Sequence, residues 1–495
     1  MSSQAPSPSD ADFLARFGAH AVLVLGDLML DRYVLGEVRR ISPEAPIPVL
    51  RAGRSRAVLG GAGNVAQNVA ALGGRAILLG VIGDDEAGEA IGRVLAEAGP
   101  GVRASIACAA GRPTTVKTRF MSGPHQLLRV DQETTEAIAA SVCDDLLARF
   151  AAALPEAEIV VLSDYAKGAL CDAVLGRAIA LARAAGKPVI ADPKRPDLAA
   201  YRRASVLTPN EAEIAAATGI APDDDAAAEA AGRAALAASA AAAVLVKRSA
   251  RGLTLVRPDM PALHIPTTAR EVADVSGAGD TLIAAFAVML AAGADLPQSA
   301  AIANTAAGIS VGKQGTATVA HAELAASLHQ RDLLATDEKV MPLDAAIARI
   351  VAWRREGLRV GFTNGVFDLI HPGHVRLLTR ARATCDRLVV GLNTDASVRR
   401  LKGPTRPVQT ETARATVMAS MRPVDAVILF AEDTPERLIA AIRPDVLIKG
   451  ADYRVEQVVG AEIVQAHGGQ VVLIDLQEGH STSNTIRRIS AAPAS

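Results

Sequence analysis

Asp274-Val-Ser-Gly-Ala-Gly-Asp280 and, further along, Thr363-Asn-Gly-Val-Phe-Asp-Leu-Ile-His-Pro-Gly-His374 are the two stretches on which the reading of this chain turns. Each is a glycine-bearing turn that enters a helix. In the first, Gly277, Ala278 and Gly279 leave backbone N–H groups free to converge on one point without side-chain obstruction. The helix that follows adds partial positive charge at the same place, and Asp280 falls at its head. In the second, the short apolar run Arg359-Val-Gly-Phe362 reads as a strand, and a helix starts from His374. His371 and His374 stand beside that helix N-terminus.

Outward from these turns the chain alternates. Ala21-Val-Leu-Val-Leu25, Ala76–Ile82, Ile159–Leu162, Pro188–Ala191, Ser205–Leu207 and Ala243–Val246 read as buried strands, with helices over Gly88–Ala98 and Asp172–Ala185. Strands separated by helices of ten or more residues predict a parallel sheet covered on both faces. The Ala-rich stretch 223–243 reads as a plain surface helix, since Ala is the best helix former. Around 325–342 the strand signal stops and the chain becomes charged. A second block then gives five strand signals: Arg359–Phe362, Arg387–Leu392, Ala426–Phe430, Val446–Ile448 and Val471–Ile474. The division that follows is a first domain over 1–328, a linker over 329–342 and a second, compact α/β domain over 343–495.

A chain of 495 residues exceeds one ordinary core at about 150 residues per domain. Half the residues are hydrophobic and 21% are charged, which is a globular composition. With 52 basic and 53 acidic residues, no basic surplus suggests a nucleic-acid partner. Cys108, Cys143, Cys171 and Cys385 form no C-x-x-C pair, so neither a zinc site nor a disulfide framework is indicated. The start of the chain lacks a basic segment followed by an apolar core, and the apolar run Leu282–Gly293 is shorter than the about 20 residues a bilayer needs. A cytoplasmic protein without a membrane partner is expected. Only nine basic residues are lysine, and Lys167, Lys194, Lys247, Lys402 and Lys449 all fall in segments singled out on other grounds. A lysine is a compact, mobile charge that can follow a phosphate.

The Gly277–Gly279 turn can hold the charge that builds on a transferring γ-phosphoryl group, with Asp280 placed to take a proton from an attacking hydroxyl. Such a loose transition state needs only a carboxylate of ordinary acidity. Gly60-Gly-Ala-Gly-Asn-Val-Ala-Gln-Asn68 is a second glycine turn into a helix, with Asn64 and Asn68 one turn apart and able to face a polyol; it lacks the spacing of a Walker A loop. In Asn210-Glu-Ala-Glu213, the amide and carboxylate share one helical face, where they could order Mg²⁺ through water or equally form a helix cap. Together these segments resemble the ribokinase (PfkB) family of sugar kinases over roughly residues 20–320, with Val275-Ser276 departing from the family's usual Thr-rich lead-in. The resemblance implies that Asp280 is the base and Gly277, Ala278 and Gly279 the anion hole. It implies that Asn210, Glu211, Ala212 and Glu213 order Mg–ATP, with no direct metal ligand set beyond Glu213 and the phosphates. Lys247, Gly252 and Asn304 would border the adenine, and Asp27, Gly61 and Asn64 would face the sugar. Leu28-Met-Leu-Asp-Arg-Tyr33, Ile41–Val49, Ser163-Asp-Tyr-Ala-Lys-Gly168 and Asp192-Pro-Lys194 resemble the heptose 7-phosphate kinase branch, with Asp31, Arg119, Asp164, Lys167 and Lys194 toward the sugar phosphate.

In the second block, two imidazoles at a helix N-terminus can donate to α- and β-phosphate oxygens as charge develops, and Gly373 permits close approach. A zinc reading lacks a third ligand. Ser481-Thr-Ser-Asn-Thr-Ile-Arg-Arg488 is a hydroxyl-rich cap opening a basic helix. This block resembles the cytidylyltransferase-like nucleotidyltransferases. The resemblance implies that His371 and His374 stabilise the α-phosphorus transition state, that Lys402, Lys449, Ser481 and Thr482 hold triphosphate oxygens, and that Thr363, Asn364 and Asp395 help hold the nucleotide. The fold class implied is a ribokinase-like α/β sandwich followed by a smaller Rossmann-like α/β domain.

The order of the two blocks resembles the bifunctional heptose 7-phosphate kinase/heptose 1-phosphate adenylyltransferases of bacterial lipopolysaccharide synthesis. That implies ATP-dependent phosphorylation of D-glycero-β-D-manno-heptose 7-phosphate at O1, then adenylyl transfer to heptose 1-phosphate, with ATP as substrate, Mg²⁺ as cofactor and a homodimer as the expected assembly. The residues by themselves leave open another sugar or alditol phosphate, CTP in place of ATP, and a nucleotide-binding scaffold without catalysis.

Overall fold

A computed structural model describes residues 10–267, 273–313, 315–450 and 457–474. The chain divides into two compact units, Met1–Leu328 and His329–Ser495. The segment read as a linker is helical for most of its length, within His321–Lys339.

The first unit is built on a nine-stranded sheet in the order Leu263–Ile265, Leu253–Val256, Ala243–Lys247, Val206–Leu207, Val189–Asp192, Ile159–Ser163, Ala21–Gly26, Arg75–Gly83, Val102–Ala109. All neighbours pair in parallel except the last two pairings at the Leu263–Ile265 edge. Both faces are buried, which explains the unbroken apolar runs. Val22 and Val24 join the core formed with helices Ala62–Ala71, Ala278–Ala291 and Leu296–Val311. Leu23 and Leu25 point the other way, into the core with helices Ala140–Ala153, Asp172–Ala184 and Asp225–Ser239. The Ala-rich helix is therefore more than a surface element: Ala228, Ala231 and Ala235 are buried, and a Cβ on Gly232 would lie 2.5 Å from Val256.

A second, four-stranded sheet was not anticipated. Its order is Pro48–Gly61, Leu28–Ile41, Thr115–Ser122, His125–Gln132. Only the roots of its strands are packed, through Leu30, Leu59 and Val116 against Ala87 and Ile91.

The second unit holds an all-parallel five-stranded sheet, ordered Ala426–Phe430, Arg387–Asn393, Val360–Gly365, Val446–Gly450, Gln470–Ile474. All five strands coincide with those read from the sequence. Among the described residues, no helix is long and apolar enough to cross a membrane.

Candidate active sites

Open parallel sheets bind ligands outside the carboxyl ends of their strands, where the strand order reverses. In the first unit that point lies between Ala21–Gly26 and Ile159–Ser163, whose next sheet neighbours lead off in opposite directions. Asp27 sits there. Its Oδ2 accepts from Tyr165 N at 2.8 Å and Lys167 N at 3.0 Å, and its Oδ1 from Ala169 N at 3.1 Å. Asp27 thus fixes the 164–169 loop at the strand end where the sugar was expected. Asp164 is likewise committed to its own surroundings: it accepts from the Tyr201 hydroxyl at 2.6 Å and from Ala166 N at 2.7 Å, with Arg195 Nε at 3.3 Å. Burial raises its pKa above the ordinary carboxylate value despite those donors.

The loop delivers Tyr165 to the head of helix Ala278–Ala291. There Asp280, buried, accepts from the Tyr165 hydroxyl at 2.6 Å and from Asn64 Nδ2 at 2.7 Å. Asn68 Nδ2 donates to Asn64 Oδ1 at 3.1 Å, and Thr281 Oγ1 donates to Asn68 Oδ1 at 3.0 Å. The two asparagines read as able to face a polyol also brace the helix head. Gly277 has φ 78°, and a Cβ there would lie 2.9 Å from Asn64 Nδ2, so the turn demands glycine. Gly61 has φ 56°, and a Cβ there would lie 2.5 Å from the carbonyl oxygen of Asp27.

Lys247 stands beside this turn: its Nζ would be 3.7 Å from a Cβ on Gly279. It pairs with Asp192 Oδ1 at 2.6 Å, and Thr208 Oγ1 donates to the same oxygen at 3.0 Å. Lys247, expected at the adenine border, thus lies beside the 277–279 turn. Asn210 and Glu213 form a reciprocal capping box at 2.8 and 2.9 Å, and Lys194 Nζ reaches Glu213 Oε1 at 3.0 Å. Glu211, which with Ala212 opens the same helix, is paired with Arg251. Asn304 Nδ2 donates to the Pro266 carbonyl at 2.7 Å, and Gly252, at φ 83°, lies against the Ile265 carbonyl, where a Cβ would come within 2.0 Å. In the four-stranded sheet Arg119 bridges to Asp31 at 2.5 Å and covers the Tyr33 ring at 5.3 Å. Lys167 and Lys117 share Glu133, at 2.8 and 3.0 Å.

Burial pushes Asp280 up to about 6, against the lowering effect of the Tyr165 and Asn64 hydrogen bonds. Its carboxylate form therefore dominates above that value and is lost below it. If Asp280 is the base, phosphoryl transfer should be flat above about pH 7, and kcat/KM should drop about tenfold per pH unit below about 6. A pH–rate profile for ADP release checks this; a profile with no acid limb down to pH 5 would contradict the role.

In the second unit the reversal lies between Val360–Gly365 and Val446–Gly450. Asn364 and Lys449 occupy those strand ends and meet: Lys449 Nζ donates to Asn364 Oδ1 at 2.6 Å. Burial lowers the Lys449 ammonium to about 8. His371 caps helix Pro372–Arg382, and its ring stacks on His374 with centroids 3.8 Å apart and planes at 25°. His374 also packs edge-on to Phe367 at 5.1 Å. Burial, then the neighbouring His371, lowers His374 to about 4, so it is neutral near pH 7 and donates as an imidazole. The buried Thr363 hydroxyl has no hydrogen-bond partner among the described residues.

Two residues that the sequence gave no reason to single out hold this loop. Asp368, within the His-bearing motif, accepts from Arg406 Nε at 2.6 Å, Val408 N at 2.8 Å and Gln409 N at 3.0 Å. Arg414, buried, donates to the Val366 carbonyl at 2.7 Å, the Gln409 carbonyl at 3.1 Å and Asp395 Oδ1 at 2.7 Å. Asp395, expected at the nucleotide, is thereby tied to Arg414. Lys402 is exposed at the end of helix Asp395–Lys402. Ser481 and Thr482 lie outside the described residues.

Comparison with known proteins agrees with the two-part construction. Residues 19–323 match the pfkB family carbohydrate kinase model, and residues 362–486 match the cytidylyltransferase-like model. A protein of Caulobacter sp. (strain K31) called bifunctional protein HldE is 55% identical over 478 residues, covering 96% of this chain and 97% of that protein. Its namesake in Paramagnetospirillum magneticum is 51% identical over 469 residues, covering 95% and 96%. Among solved structures, phosphofructokinase-2 from Escherichia coli in complex with potassium superposes with a TM-score of 0.52 at 20% identity, covering 63% of this chain and 98% of that one. Ribokinase from Arabidopsis thaliana, complexed with ribose and ATP, gives 0.50 at 23% identity, covering 62% and 98%. At these identities the two structures speak for the fold of the first unit alone.

Proposed function

The chain belongs to the family of bifunctional HldE proteins, a sugar kinase joined to a nucleotidyltransferase, and on that premise we propose how its residues make ADP-heptose for the lipopolysaccharide core. The observation that carries the reading is a pair of separate devices. One is a buried carboxylate at the head of a glycine-led helix. The other is a stacked imidazole pair at a helix cap beside a lysine.

In the first reaction the O1 hydroxyl of heptose 7-phosphate gives its proton to Asp280 as oxygen attacks the γ-phosphorus of ATP. The N–H groups of the 277–279 turn and the Lys247 ammonium receive the charge on the equatorial oxygens, and ADP leaves. Mg²⁺ arrives with ATP as part of the substrate. Asp192 and Glu213 are the carboxylates that would suit it: burial and then the like charge of Glu213 raise Asp192, a cost a cation between them would relieve, while Lys247 and Lys194 partly offset it meanwhile. Such a pair can hold a hydrated ion through water while the phosphates ligate it. Arg119 and Lys167, which the structure pairs with Asp31 and Glu133, would exchange those partners for the 7-phosphate.

In the second reaction a phosphate oxygen of heptose 1-phosphate attacks the α-phosphorus of ATP and pyrophosphate leaves. The nucleophile is already anionic, so no base is needed. His371 and His374 donate to the oxygens that gain charge, and Lys449 holds the triphosphate while protonated, below about pH 8. Thr363, with an unspent hydroxyl, faces the same task from the adjacent strand end. Lys402, Ser481 and Thr482 complete the triphosphate contacts in this reading.

The experiment that tests the assignment is a substrate panel read by mass spectrometry. Heptose phosphates with ATP should give product, whereas pentose or alditol phosphates, or CTP in the second step, should not. Cytoplasmic location belongs to the same proposal, as does a homodimer. The strand His125–Gln132 is exposed throughout, with Leu128 and Val130 on it, and offers a second copy an unpaired edge. Sedimentation should report a species of twice the chain mass, and a Val130→Lys variant should shift it toward monomer. A wild-type monomer at micromolar concentration would remove that part.

A further inference from the structure

Tyr165 touches the kinase base directly, yet nothing above gives it a role. Its hydroxyl donates to Oδ1 of Asp280 at 2.6 Å while Asn64 Nδ2 donates to Oδ2 at 2.7 Å. Each carboxylate oxygen therefore holds one fixed donor, and both donors favour the ionised form. Burial, then the nearby Asp280 and Asp192, pushes the phenol well above its ordinary value, so it stays protonated and remains a donor. Its backbone is equally fixed, since Tyr165 N donates to Asp27 Oδ2 at 2.8 Å and the following turn, with Ala166 at φ 54°, is held by Asp164 and again by Asp27. The charges facing this pair come from several elements. Asp192 and Lys247, themselves 2.6 Å apart, lie on two strands of the large sheet, Asp31 on the four-stranded sheet.

We infer that Tyr165 is a positioning residue for phosphoryl transfer: its hydroxyl keeps Asp280 ionised and leaves only the outward lone pairs of the carboxylate to meet the sugar hydroxyl. The inference rests on the reading of Asp280 as base. Removing a hydrogen bond that favours the charged form moves a carboxyl pKa upward, here toward the value burial alone would set.

The test compares wild type, Tyr165→Phe and Asp280→Asn as full chains, by ADP release with heptose 7-phosphate from pH 5 to 9. In Tyr165→Phe the acid limb of kcat/KM should move up by about one pH unit, giving roughly a fivefold loss at pH 6, close to tenfold at pH 5, and less than about a twofold loss at pH 8.5. KM for ATP should hold, and recovery at high pH shows that the variant is folded. A limb at the wild-type position overturns the inference. So does a uniform loss across all pH values, which is what a merely structural tyrosine would give. Full activity in Asp280→Asn would instead overturn the reading beneath it.

Discussion

Asp280→Asn is expected to lower sugar phosphorylation about 10³-fold, or about 4 kcal/mol of transition-state stabilisation, the middle of the range for a positioned acid–base group. The amide keeps the volume of the carboxylate and can still meet Tyr165 and Asn64, but it takes up no proton. The buried site also makes the substitution mild for folding, since it removes a charge that burial already disfavours. Adenylyl transfer should be unchanged, because every group assigned to it lies in the other unit, beyond residue 360. Parallel assays of ADP and pyrophosphate release check both halves. Loss of both activities in a folded variant would show that the two chemistries are not separately housed.

His374→Ala should do the reverse. His374 is stacked on His371, packed edge-on to Phe367 and neutral near pH 7. It can therefore give a hydrogen bond to a phosphate oxygen without being deprotonated in the process. Removing one such preorganised donor costs about 10²- to 10³-fold in kcat. Pyrophosphate release with heptose 1-phosphate and ATP should fall by that factor while ADP release with heptose 7-phosphate persists. The lowered pKa adds a second check: His374 should contribute no limb to wild-type adenylyl transfer near pH 6.5, where an ordinary histidine titrates. Unchanged pyrophosphate release in His374→Ala would count against the imidazole role.

The strands of the second unit were legible because most are apolar runs with both faces buried, such as Arg387–Asn393, and the edge strand Gln470–Ile474, though only partly buried, is still apolar after its first residue. The Gly277–Asp280 turn was legible because its function is local: three residues and a helix end suffice. The four-stranded sheet escaped notice because its outer strands are exposed on both faces and carry no burial period, His125–Gln132 most of all. The partners of the polar residues beside the glycine turns were not legible, because they lie far along the chain, as with Asn64 and Asp280, 216 residues apart. Asp27, Asp164 and Asn64 were read as facing the sugar or its phosphate, and the fold also gives them partners in the 164–169 loop and at the head of helix Ala278–Ala291. Arg414 gave no signal at all. It sits mid-helix, and only the fold reveals that its guanidinium ties together the Val366, Gln409 and Asp395 segments.

That each unit works on a different phosphorus of ATP can be followed with one doubly labelled substrate. ATP carrying distinguishable isotopes at the α- and γ-phosphorus is given to the full chain with Mg²⁺ and heptose 7-phosphate, with and without a phosphatase that removes the 7-phosphate. Without phosphatase, only the γ label should reach the sugar, as a 1,7-bisphosphate. With it, a nucleotide sugar should form that bears the α label on its AMP phosphorus and the γ label on its sugar-side phosphorus. A nucleotide sugar made without phosphatase, or one whose sugar-side phosphorus lacks the γ label, would contradict the account.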